Sequence, residues 1–135
     1  MPGLTEMGRE QFVLAGVARY TAQFTRMSIE DSFAEVKRVI DNALVNIVKS
    51  ELDVQNYLKD KYSLPSDLVV YMQEREAHGK RIEVLADKIT TLTTFFVRAE
   101  KDGERFRHDE FLWLRMAGLA GYIEAEFDAM KKHLF

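Results

Sequence analysis

Two long apolar seams, each built mainly of three- and four-residue steps, flank one interior proline and constrain this chain more than any other feature. Phe33, Val36, Ile40, Leu44, Ile47, Val54 and Leu58 form the first seam, and Tyr71, Ile82, Leu85, Ile89, Leu92 and Phe96 the second. Such spacing returns to one face of an α-helix. Pro65 disfavours helical geometry at the residue before it, so Ser63-Leu64-Pro65 reads as the turn between two helices. If the helices fold back about the Leu64–Pro65 bond, residues at equal depth have numbers that sum to 129. Phe33 with Phe96, Ile40 with Ile89, Leu44 with Leu85, Ile47 with Ile82 and Leu58 with Tyr71 all meet that condition. Two seams read independently therefore agree on one register, which is the signature of an antiparallel helical hairpin.

The flanking segments read the same way. Val13, Val17, Tyr20, Phe24 and Met27 share a face before the hairpin, and Leu112, Met116, Leu119, Ile123, Phe127 and Met130 share one after it. Ser28 and Ser66 are expected as N-caps, with Glu30 and Asp31 complementing the helix dipole in the turn after Ser28. Gly103 suits the left-handed residue beyond a helix end. Gly79 and the run Thr90, Thr91, Thr93 and Thr94 are weak helix formers, where a kink or local loosening is expected. The resulting expectation is an all-α, antiparallel up-down-up-down four-helix bundle built on a long central hairpin. Its helices lie at about 6–26, 28–62, 66–101 and 106–133, in one domain spanning residues 1–135. In the last helix Ala117, Gly121, Ala125 and Ala129 place a small residue at every fourth position, which allows tight packing inside the bundle or against a second copy.

Composition limits the function classes. With 47% hydrophobic and 30% charged residues the chain is expected to fold, and with no cysteine it has neither a disulfide framework nor thiolate metal ligands. Cytoplasm is the expected location. A net charge of −3 with both signs mixed along the chain argues against nucleic acid as a partner. The apolar stretch Leu68 to Met72 is far too short to cross a bilayer, and Met1 to Glu6 has no export signal.

Catalytic signatures are sparse. No Glu-x-x-His pair, Gly-rich phosphate loop or His-Glu-x-x-His helix occurs, so no cofactor, metal or catalytic residue is assigned and the expectation leans away from an enzyme. The register places Glu51 opposite His78 and Val54 opposite Arg75, which interrupts the seam with one polar layer. Glu51, His78 and Arg75 are read either as a register-fixing polar layer or as a small-ligand or metal site whose groups converge from two helices. A third reading comes from Arg107-His108-Asp109-Glu110, opening a helix that later contains Gly121-Tyr122-Ile123. This segment loosely resembles the phosphoacceptor helix of sensor histidine kinases and their phosphotransfer relatives, which would imply phosphotransfer at His108. It departs from them in carrying Leu112 and Trp113 where they have Asn, Thr or Pro, and in a Gly-Tyr about two residues later. The simpler expectation for His108 is a polar residue in the first helical turn.

Helix lengths single out a surface. Folded back about Ser28, the first helix would not cover the second beyond about Ser50, and the last helix would reach only to about Gln73 on the third. The hairpin tip, with Tyr57, Leu58, Tyr62, Leu68, Val69, Tyr71 and Met72, is expected to project and to meet a protein partner or a second copy, unless Pro2 to Met7 cover it. The function expected on these grounds is a non-catalytic interaction or regulatory module that self-associates through the tip, ahead of a ligand-binding bundle.

Overall fold

The computed structural model describes the backbone of residues 4–103 and 109–133, with side chains from residue 8 onward. Four helices follow in chain order: α1 (Leu4–Phe24), α2 (Ile29–Lys61), α3 (Leu68–Asp102) and α4 (Glu110–Lys131), packed as an antiparallel up-down-up-down bundle, with no strand among the described residues. The helix start expected near residue 106, together with His108, lies outside the described residues, as do Pro2 and Gly3.

Local chemistry explains most of the boundaries. The Ser28 hydroxyl accepts from the Asp31 N–H at 3.1 Å, satisfying a donor that the first turn of α2 leaves open, and Glu30 and Asp31 sit at the positive end of the dipole. Asp109 does the same for α4, its carboxylate accepting from the Leu112 N–H at 3.2 Å. Ser66 does not cap α3: that position belongs to Asp67, whose side chain makes no capping bond. Both side chains serve the turn instead, the Asp67 carboxylate accepting from the Ser63 N–H at 2.8 Å and the Ser66 hydroxyl donating to the Ser63 carbonyl at 3.0 Å. Gly103 ends α3 with φ 44°, a conformation that costs glycine least. Between those ends α3 runs unbroken through Gly79 and the threonine run. The four threonine hydroxyls donate to carbonyls one turn back at 2.8 to 3.0 Å, so each side chain is satisfied without leaving the helix.

The last helix is the hub. From Met116 to Met130 it carries three charged residues, and a helix that is apolar on most of its circumference has to be covered on most of it. α4 packs on α1, α2 and α3, and its residues Met116, Ala117, Ala120, Ile123, Phe127 and Met130 join Phe24, Val36, Val39, Leu85, Leu92 and Ala99 in the main core. The main packing of α1 is along α4 rather than along α2, where the length argument placed it. The reason is the row of small residues. A Cβ built on Gly16 would stand 2.8 Å from the Ala125 Cβ, and one on Gly121 would stand 3.0 Å from the Tyr20 Cβ, so the two backbones approach to a distance larger side chains would prevent. Ala117, Gly121, Ala125 and Ala129 are all buried.

The hairpin register is visible where Phe33 and Phe96 meet edge to face with ring centroids 5.9 Å apart, and where Leu58 and Tyr71 share one small core. One stretch of the α2 seam differs from the sequence reading. Its buried line runs Val36, Val39, Ala43, Ser50, Val54 and Leu58, with Ile40 and Ile47 half-buried on the flank facing α3. Leu44 and Glu51 each lie one residue beyond this line, a rotation of about 100°. Leu44 is consequently 73% exposed, and Ser50, not Glu51, brings a polar group into the seam, where its hydroxyl lies 2.9 Å from the Met130 Sδ.

These close approaches make a direct test. Gly16→Ala is expected to destabilise the fold by about 1–3 kcal/mol, because the added methyl meets Ala125 across the α1–α4 contact. Gly79→Ala, where an added Cβ meets nothing within 4 Å, should instead stabilise it by roughly 0.5–1 kcal/mol. Urea denaturation followed by circular dichroism reads both; equal effects of the two changes would remove the argument from backbone approach.

Candidate interaction surface

The hairpin tip divides into a core and an uncovered face. Leu58 and Tyr71 are buried and, with Val54, form a small apolar cluster flanked by Tyr57 and Tyr62. Leu58 and Tyr71 hold the tip together from within, while Tyr57 and Tyr62 are half-buried. His133, just past the end of α4, stacks on Tyr57 with ring centroids 4.4 Å apart. Leu68, Val69 and Met72 are exposed along a shallow groove that continues past Gln73, Arg75 and Glu76, while Leu64 in the turn and Val70 on another side of α3 are exposed as well.

The backbone beneath that face is well fixed. In addition to the Ser63, Ser66 and Asp67 bonds, the Leu68 N–H donates to the Pro65 carbonyl at 3.1 Å and the Tyr71 N–H to the Asp67 carbonyl at 3.0 Å. Across the mouth of the hairpin the Tyr62 hydroxyl donates to Glu74 Oε1 at 2.6 Å, and Lys61 Nζ approaches the same oxygen at 3.3 Å. The Glu74 carboxylate pushes the Tyr62 phenol above its ordinary range and the Lys61 ammonium upward as well, against the opposing effect of burial on the latter.

A second apolar surface lies on α2. Leu44, Val45, Val48 and Leu52 are 73%, 63%, 60% and 58% exposed, making a continuous line on the side of α2 turned away from α4. Seam reading assigns Leu44 to the core and passes over the other three. A signal was present, because residues 44, 48 and 52 repeat at four-residue steps on a face distinct from the seam, and a helix with two apolar faces has two surfaces to cover.

The polar candidates fall into different environments. His78 is buried, whereas Glu51 and Arg75 are exposed. Burial, followed by the nearby Arg81 guanidinium on the same helix, holds the His78 imidazole below its usual pKa. Between α1, α2 and α4 a second network has formed: the Tyr20 hydroxyl donates to Glu35 Oε1 at 3.0 Å, Arg38 Nε donates to the same oxygen at 3.1 Å, and Arg38 lies 3.6 Å from Glu124. Burial and then the Glu35 carboxylate push the Tyr20 phenol far above its ordinary range, keeping it a hydrogen-bond donor. Arg38 lowers Glu35, while burial raises Glu124. Such a group of hydrogen-bonded and paired side chains fixes helix positions. Among the described residues, no group of three or more His, Asp or Glu side chains is arranged to hold a metal ion, and no helix is long and apolar enough to cross a membrane.

His78 also sets a pH dependence. Its folded pKa lies below the unfolded value of about 6.5, so its contribution to stability is complete above that pH and is lost as pH falls through 6.5 toward the folded value. Urea midpoints measured from pH 7.5 down to about 5 should fall in the parent and fall less in His78→Leu. Glu51→Leu should change stability by less than about 0.5 kcal/mol, additively with His78→Leu; strong coupling between the two would restore the polar-layer reading. No protein-family model, curated protein or solved structure matches this chain, so its surfaces carry the functional reading.

Proposed function

We propose that this chain is a non-catalytic protein-interaction module that self-associates, with the exposed apolar face of the hairpin tip as its contact surface. One observation carries the reading: Leu68, Val69 and Met72 stand exposed together at the start of α3, beside a turn whose backbone is fixed by hydrogen bonds. Large apolar side chains grouped on a rigid, projecting element resemble a contact surface more than the scattered exposed residues of an ordinary monomer. Leu58 and Tyr71, expected at the centre of the contact, become its internal support. A cysteine-free composition suits a reducing compartment, and cytoplasm is the location proposed.

The reading is tested by charge at the tip. Leu68→Glu and Val69→Glu should abolish self-association or partner capture while leaving helicity and the thermal midpoint nearly unchanged, since neither side chain is part of the folded core. Leu58→Glu should instead unfold the protein, at a cost of several kcal/mol for a carboxylate forced into an apolar cluster. Size-exclusion chromatography with light scattering over a range of concentrations provides the readout. Tip variants that associate like the parent would eliminate this surface.

A further inference from the structure

We infer that the Met72 thioether is an oxidative modification site, and that its conversion to the sulfoxide by peroxide switches the tip contact off while the fold stays intact. The inference rests on the self-association reading and adds a chemical control to it. The chain has six methionines and no cysteine, so thioethers are its only sulfurs and no thiol of its own competes for an oxidant. Among the methionines whose side chains are described, Met116 and Met130 are buried in the core at 0% and 4% exposure, whereas Met72 and Met27 are 53% and 37% exposed. Met27 lies in the turn between α1 and α2, at the other end of α2 from the tip. Met72 is therefore the exposed thioether within the proposed contact.

Its position makes oxidation consequential. Leu68 and Val69 lie one turn before Met72 on α3, Arg75 and Glu76 one turn after it, and all five line the same groove. In the reaction a lone pair on Sδ takes the terminal oxygen of hydrogen peroxide and the O–O bond breaks. The proton of the transferred oxygen leaves with the departing hydroxide as water. Sulfur is oxidised by two electrons and the peroxide is reduced by the same two. A flexible apolar side chain thereby gains a strong hydrogen-bond acceptor. In the separated chain that oxygen is hydrated and nothing beneath it shifts, because Met72 belongs to none of the core clusters. In a contact among apolar groups the same oxygen is buried without a donor, so oxidation opposes association and not folding. At Met116 or Met130 the change would strike the core instead, and burial protects both while the bundle stays closed.

Graded hydrogen peroxide on the folded full chain tests this, with peptide mass spectrometry and light scattering over a range of concentrations as readouts. Met72 should gain an oxygen well before Met116 and Met130. Chain oxidised there should associate roughly tenfold more weakly or worse, with helicity and thermal midpoint nearly unchanged. Met72→Gln, which places a polar group of similar length without peroxide, should reproduce the loss, and Met72→Leu should keep its association after the same dose of peroxide. Parent oxidised at Met72 that associates like the untreated chain overturns the inference. So does a Met72→Leu protein that loses association on peroxide as the parent does, because the effect then belongs to another methionine. The tip reading fails separately: an untreated parent that is monomeric, or that associates no better than Val69→Glu, removes the contact and the inference with it. Association lost in Val69→Glu but kept after Met72 is oxidised removes the inference alone.

Discussion

The burial of α4 determines the arrangement of the rest. A helix with three charges between Met116 and Met130 exposes too much apolar circumference for one neighbour to hide, and it draws α1, α2 and α3 onto its sides. The small row Ala117, Gly121, Ala125 and Ala129 lets α1 approach closely, so α1 follows α4 rather than closing over the hairpin. Placing α1 there has a consequence on the other side of the molecule. Among the described residues, α4 covers one face of the two longest helices, and Leu44, Val48 and Leu52 on another face of α2 are exposed.

Charges that enter this packing are matched where they enter. Glu126 is buried between α1 and α4, and Arg9 reaches its Oε1 at 2.6 Å. Removing either partner of such a pair leaves an uncompensated charge and typically costs 3–5 kcal/mol, whereas the intact pair adds little net stability over a well-packed apolar pair. Its stronger effect is on alignment. Arg9 fixes where α1 starts along α4, and the Tyr20, Glu35, Arg38 and Glu124 network ties α1 and α4 to the beginning of α2. The polar groups thus set the register of surfaces that apolar packing alone would allow to slide.

Periodicity revealed the helices, their order and the hairpin register, because each depends on local spacing and on one proline. It failed where a single residue of helical phase decides between core and surface. A three-residue step from Val36 to Val39 rotates the α2 seam, putting Ser50 inside and Leu44 and Glu51 outside. Both alternatives are compatible with a three-four repeat, and the choice is made by α4, which packs on the Val39 and Ser50 side. The same cause explains the candidate site. Helix lengths singled out the tip, but they could not separate Leu58 and Tyr71, which close its small core, from Leu68, Val69 and Met72, which do not.

The two exposed apolar surfaces share a property that matters for binding. Neither lies on a loose loop: one caps a turn fixed by the Ser63, Ser66 and Asp67 bonds, and the other runs along the middle of a 33-residue helix. Docking on either would order little backbone, so the conformational cost that often offsets apolar burial is small. Long helices also repeat their contacts at every turn, which distributes the affinity over many side chains and makes it sensitive to register.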